Sequence, residues 1–140
     1  MSAMERTFTR DLDELHKVFT FLDTFAESSN VDMSVSLPVR LAVEELFTNM
    51  VKYNKDSRAD ITVAIDRNGD EVKIVLTDFD TEPFDITSTG EVDITASLEE
   101  RTPGGLGIHL VKRMVDEIHY RYKDRVSQIT LIKSIKPRHA

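Results

Sequence analysis

Residues 41–54, LAVEELFTNMVKYN, decide how the rest of this chain is read. Ala42, Val43, Leu46, Phe47, Met50 and Val51 recur at the three-and-four spacing of one helix face, and Val39 carries the stripe one turn further back. Ser36 fits an N-cap with Pro38 in the first turn, so a helix is expected over residues 36–54. Its polar residues are the informative ones. Glu45 and Asn49 lie four apart and project from the same side, Asn49 at the border of the apolar stripe near Ala42 and Glu45 one step further out. A carboxylate beside a carboxamide at the rim of a buried face can activate a hydroxyl or water and hold a hydrated magnesium ion. Taken alone, the pair also reads as a solvated helix face, glutamate being a good surface helix former.

Working outward, residues 5–10 alternate like a short strand, and residues 11–28 repeat Leu12, Leu15, Val18/Phe19, Leu22 and Phe25/Ala26 at helical spacing. On the other side Ile61, Val63 and Ile65 alternate with polar residues, Asn68-Gly69-Asp70 makes a hairpin turn, and Val72, Ile74 and Leu76 alternate again. These two antiparallel strands end near Asp78. Residues 79–104 show little regular pattern, and a loop of that length in a compact domain is usually functional or mobile. Counting Asp78, eight acidic residues precede the first basic one there, Arg101. Residues 106–118 read as a second clear helix whose broad face carries Gly107, Leu110, Val111, Met114, Val115 and Ile118. Two closing strands, over 119–123 and 126–135, meet at a tight turn around Asp124. One helix crossover among hairpins predicts the α+β class, a two-layer sandwich of a mixed, mostly antiparallel sheet with about three helices on one face. With 140 residues and no repeat, low-complexity tract or linker, a single domain over 1–140 is expected.

Composition narrows the function. An apolar fraction of 40% and a charged fraction of 31% suit a globular domain, and no run approaches the ~18 apolar residues of a membrane helix. The opening MSAMERTFTRDLDEL lacks the apolar core of a signal peptide. The absence of cysteine excludes disulfides, thiol catalysis and zinc–thiolate sites, and it suits a cytoplasmic protein. A net charge of −7 argues against nonspecific binding to nucleic acid or anionic membrane. That total is uneven: residues 1–104 carry 10 basic and 22 acidic side chains, residues 105–140 carry 8 and 3.

The break falls at Gly104-Gly105-Leu106-Gly107, which opens the last helix. Glycines there admit close backbone approach, and free amides with the helix dipole suit an anion such as phosphate; a flexible helix start is the plainer reading. No Gly-Lys-Ser/Thr follows, so it is not a Walker motif, and it follows a long loop rather than a strand, so it is not a dinucleotide fingerprint. Asp78, ending an apolar strand, could accept a hydrogen bond from an exocyclic amine such as that of adenine, or be an ordinary turn aspartate. Thr130 is a good β residue in the last strand. His16, His109, His119 and His139 show no metal-ligand spacing, and there is no Gly-x-Ser-x-Gly, so metal and serine hydrolase readings have little support.

Each signal is weak alone, but their order is specific: Glu45-x-x-x-Asn49 on a helix, a hairpin ending in Asp78, a long loop, then Gly-Gly-Leu-Gly at a helix start. This resembles the N, G1 and G2 boxes of the superfamily of gyrase, heat-shock chaperone, histidine kinase and mismatch-repair ATPases, whose ATP-binding architecture is the Bergerat fold. Within it the chain looks most like the bacterial anti-sigma-factor serine/threonine kinases. LAVEELFTNMVKYN, TDFDTEPFD, GGLGIHLVKRMVDEIHYRY and the closing ITLIK carry that resemblance over nearly all 140 residues.

The resemblance implies roles. Glu45 would be the general base and Asn49 the ligand of the Mg2+ that bridges the ATP phosphates. Asp78 would bind the adenine amine with Thr130 supporting it, and Phe84 would belong to the nucleotide site. Gly104, Gly105, Leu106 and Gly107 would face the phosphates, Lys52 would sit near them or in solvent, and residues 86–103 would form a lid. One departure stands out: the family's G1 box usually reads Asp-x-Gly, whereas Asp80 stands here, with Pro83-Phe84-Asp85 one residue late. If the glycine lets the backbone approach adenine, Asp80 narrows the pocket or weakens nucleotide binding.

The function so implied is an ATP-dependent protein kinase that phosphorylates a serine on an anti-sigma-factor antagonist and alternatively sequesters a sigma factor, without direct nucleic-acid or membrane contact. The family tends to dimerise. The alternative is a nucleotide-regulated binding module without transfer, which Asp80 favours, and a minor third is ATP hydrolysis without a protein acceptor. The acidic excess of the first 104 residues points to a basic partner and salt-sensitive binding.

Overall fold

A computed structural model of the chain describes residues 3–53, 57–81 and 105–135, with backbone alone for 105–109. Strand β1 (Met4–Phe8) leads through a short 3-10 turn (Leu12–Glu14) into α1 (Leu15–Ser28) and α2 (Met33–Tyr53). The hairpin β2 (Ile61–Asn68) and β3 (Glu71–Phe79) follows, then α3 (Gly105–Met114), β4 (Glu117–Lys123) and β5 (Val126–Ser134). The class is α+β as expected. The five strands lie in the order β1-β2-β3-β5-β4, and every pairing among them is antiparallel. Among the described residues, the parallel pair expected of a mixed sheet does not form. The crossover through α3 leaves β3 and β4 running the same way, but β5 turns back between them and separates them.

The core lies between the helices and one sheet face. Val18, Phe21, Leu22 and Phe25 of α1, and Val35, Val39, Ala42, Val43, Leu46, Phe47 and Met50 of α2, are buried at the predicted helical spacing. They meet the alternating inward residues Ile61, Val63, Ile65, Val72, Ile74, Leu76, Ile129 and Leu131. Phe8, at the end of β1, sets its ring edge-to-face against Phe21 at 5.8 Å and Phe47 at 6.3 Å, pinning both helices to the sheet edge. No described helix is long and apolar enough to cross a membrane.

Three boundaries differ from expectation. Helix α2 starts at Met33 rather than near Ser36. Asp32 is its cap, its carboxylate accepting from the Ser34 amide at 2.9 Å and its carbonyl from the Val35 and Ser36 amides. The Ser34 hydrogen bonds hold the Asp32 carboxyl below its ordinary value. Pro38 therefore lies inside the helix rather than in its first turn. The predicted helix over 11–28 begins as the 3-10 turn, where Asp11 accepts from the Asp13 amide at 2.9 Å. Helix α3 stops at Met114, so Ile118 belongs to β4. Asp116 causes this: its amide donates to the Ile132 carbonyl at 2.8 Å and its carboxylate accepts from the Ser134 amide at 2.6 Å, docking the chain on β5. The turns match the sequence. Gly69 takes a φ of 65° between β2 and β3, and Asp124 and Arg125, at 52° and 64°, make the paired left-handed turn between β4 and β5 without glycine.

Candidate functional site

Helix α2 presents Glu45 and Asn49 at different depths. Asn49 occupies a position of the apolar stripe and is only 5% exposed. Its Nδ2 has no hydrogen-bond partner among the described residues. A buried amide left this way costs about 1–3 kcal/mol, so a carboxamide here is an expense that packing does not explain. Glu45, one turn earlier, is half-buried. Burial raises its carboxyl pKa above the ordinary value; Lys52 opposes the shift and Glu44 adds to it. A carboxylate raised towards neutrality is better matched to accepting a proton from a hydroxyl. Lys52 itself is exposed.

Asp78 stands one residue before the end of β3, on the inward face, and is 1% exposed. The partner the sequence did not reveal is Arg10, just after β1, whose Nη2 donates to Asp78 Oδ1 in a pair buried on both sides. The same guanidinium donates to the carbonyls of Met50 at 3.0 Å, Ala59 at 3.2 Å and Phe79 at 3.3 Å. It thus ties the backbone beside Asn49 to the strand end that carries Asp78.

The chain leaves β3 through a fixed bend. Asp80 takes a φ of 57°, the left-handed conformation that glycine adopts most readily, in the position where the resembled pattern has glycine. Its carboxylate meets Arg125 Nε at 2.9 Å in an exposed ion pair. Thr81 then turns inward: its amide donates to the Arg125 carbonyl at 2.9 Å, and its carbonyl accepts from the Tyr122 hydroxyl at 2.9 Å. Its hydroxyl lies 2.9 Å from that of Ser127, which also lies 3.4 Å from the Tyr120 hydroxyl.

Ser127 corrects one expectation. Thr130 was expected to support Asp78, but the register sets Thr130 opposite Val75, and Asp78 opposite Ser127. Side chains alternate along β5, so Thr130 points to the face away from the helices while Ser127, Ile129 and Leu131 point inward with Asp78. The register of two strands separated by a long loop and a helix is not written in either strand, which is why Ser127 was missed.

At the proposed phosphate end, Gly105 is the first residue of α3, followed by Leu106 and Gly107, and α3 packs against α2. The backbone of these three residues is therefore at a helix start, as expected. Phe84, Gly104, the lid over 86–103 and His139 lie outside the described residues, as do the side chains of Leu106 and His109. The described residues contain no group of three His, Cys, Asp or Glu side chains able to hold a metal. What fits magnesium here is Asn49, a single ligand, which is the protein share usual for an ion carried on nucleotide phosphates. What fits a nucleotide is the unpartnered buried amide of Asn49, the buried acceptor Asp78 and the amides at the start of α3.

Comparison with known proteins gives the family. The family described as the histidine kinase-like ATPase domain matches residues 8–133. The chain belongs to that family, a class of ATPase domain, which implies ATP as its nucleotide. Among solved structures, the RsbU and RsbW domains of Rv1364c from Mycobacterium tuberculosis are similar at 16% identity and a TM-score of 0.71. That match covers 96% of this chain and 33% of the other, so this chain spans about a third of its length. The SiaB–SiaC complex from Pseudomonas aeruginosa is similar at 18% identity and a TM-score of 0.66, covering 94% of this chain and 88% of the other. These two share the fold. No curated protein matches.

Proposed function

We propose that this chain is a single-domain protein serine/threonine kinase of the anti-sigma type, using Mg-ATP to phosphorylate an anti-sigma-factor antagonist and alternatively holding a sigma factor. In this reading Glu45 accepts the proton of the attacking serine hydroxyl, and Asn49 ligates the magnesium on the phosphates. Asp78 accepts from the adenine amine, and the amides of Gly105, Leu106 and Gly107 receive phosphate oxygens. Positioning and charge stabilisation supply most of the catalysis in phosphoryl transfer. The reading places the protein in a bacterial cytoplasm, with protein partners and a second copy of itself as its associates.

One observation carries it: a half-buried carboxyl with raised pKa sits one turn from a buried carboxamide whose Nδ2 has no partner among the described residues. Structural likeness to chains whose names include RsbW and SiaB supports the choice of family branch. The test is calorimetric titration with Mg-ATP, followed by labelled-phosphate transfer to an antagonist domain encoded beside this chain. Binding with transfer that Glu45→Ala abolishes is the expected result; undiminished transfer in that variant removes the base. Asp80 in the glycine position favours a second reading, a nucleotide-regulated binding module, and binding without any transfer would establish it.

A further inference from the structure

Arg10 has no part in the chemistry above, yet its side chain is only 6% exposed, and it is held more completely than any surface arginine needs to be. Its Nε donates to Ala59, its Nη1 to Met50, and its Nη2 to both Phe79 and Asp78, so the planar fork is fixed from α2, from the run before β2 and from the end of β3. A guanidinium held on three sides cannot swing away without breaking several bonds at once. The carboxylate it faces has no freedom to follow solvent, being 1% exposed.

We propose that Arg10 is the positioning residue for base recognition: by holding Asp78 Oδ1 it fixes the carboxylate as a pure acceptor aimed at a purine 6-amino group. The inference rests on the reading of Asp78 as the adenine contact. An ionised carboxylate accepts hydrogen bonds and donates none. A purine with a 6-amino group brings it a further donor, one with hydrogen at that position brings none, and one with a 6-oxo group sets two acceptors against each other. Arg10 makes this selection sharp because it removes the rotation by which Asp78 would otherwise adapt. Lysine would keep the charge but not the fork, since a single ammonium cannot reach acceptors on three segments.

The test is calorimetric titration with the magnesium complexes of ATP, purine riboside triphosphate and inosine triphosphate, against the wild type, Arg10→Met, Arg10→Lys and Asp78→Leu. The wild type is expected to prefer ATP over the 6-hydrogen analogue by roughly 10- to 100-fold, the worth of a hydrogen bond to a charged group. In both Arg10 variants that ratio should fall to about 3-fold or less as the acceptor loses its fixed aim. Arg10→Lys keeps a cation beside Asp78 and carries the test if circular dichroism shows that Arg10→Met does not fold. Equal weakening of all three nucleotides in the Arg10 variants, with the ratio intact, overturns the proposal and leaves Arg10 a structural residue. A wild type without preference, or an Asp78→Leu variant that retains it, instead overturns the reading of Asp78 itself.

Discussion

The two ends of the candidate site are built on opposite principles. Around Asp78 the buried polar groups are tied together: the carboxylate to Arg10, Arg10 to three carbonyls, and Thr81 to Ser127 and Tyr122. Around Asn49 they are not, since its Nδ2 has no partner among the described residues and Glu45 sits half-buried with a raised pKa. A satisfied network gives a rigid recognition surface, whereas unsatisfied groups mark where a ligand completes the structure. The first end is built to hold a shape and the second is left for a ligand to complete, so mutations should cost stability as well as base selectivity at one and activity without stability at the other.

The largest expected effect belongs to the receiving end. Glu45→Ala should lower phosphoryl transfer by about 100- to 10,000-fold, the usual span for a general base, with Mg-ATP affinity nearly unchanged in calorimetry. At the rigid end, Asp78→Ala leaves Arg10 buried without its partner and should cost about 3–5 kcal/mol in urea unfolding. Asn49→Leu should instead raise stability by up to about 1–3 kcal/mol by removing the orphan amide. Destabilisation by Asn49→Leu as large as that by Asp78→Ala would erase the contrast between the two ends. Ser127→Ala should cost about 1 kcal/mol through its hydroxyl contacts, while Thr130→Val on the outer face should leave both stability and nucleotide binding unaltered.

The pH dependence sharpens the same contrast. Burial raises the Glu45 pKa, so its charged form is disfavoured in the folded protein, and its contribution is most favourable below the unfolded value and is lost as pH rises through the folded one. Glu45→Gln should therefore melt higher than the wild type at neutral pH, with the gap closing as pH falls below about 4. A gap that widens on acidification would mean the carboxylate is stabilised rather than strained. The smallest effect is expected of Asp80→Gly, which keeps the left-handed bend and loses only an exposed ion pair worth about 0–1 kcal/mol.

Much of this was legible in the sequence because it is periodic or local. The helical spacing from Val39 to Met50, the alternation in Ile61–Asn68 and Glu71–Phe79, and the turns at Gly69 and Asp124 gave the elements in the right order. Glu45 and Asn49 could be ranked by depth because both lie on one helix. What sequence could not supply depends on contacts between distant segments. Arg10 and Asp78 are 68 residues apart, and nothing local to either marks the pair. Thr130 was expected beside Asp78, where Ser127 stands, because register between strands distant in sequence sets which face a side chain takes. Ile118 continued the helical period of α3 by coincidence, since Asp116 had already bound the chain to β5. Asp80 looked like a defect in the glycine position until its backbone proved to adopt the conformation glycine favours.

The measurement that bears most directly on the account is a paired one on Asn49→Leu, with Mg-ATP affinity by calorimetry and stability by urea unfolding on the same preparation. If the buried amide is kept for a ligand, affinity falls by at least about 10-fold while stability holds or rises. An Asn49→Leu protein that binds Mg-ATP as tightly as the wild type would contradict it.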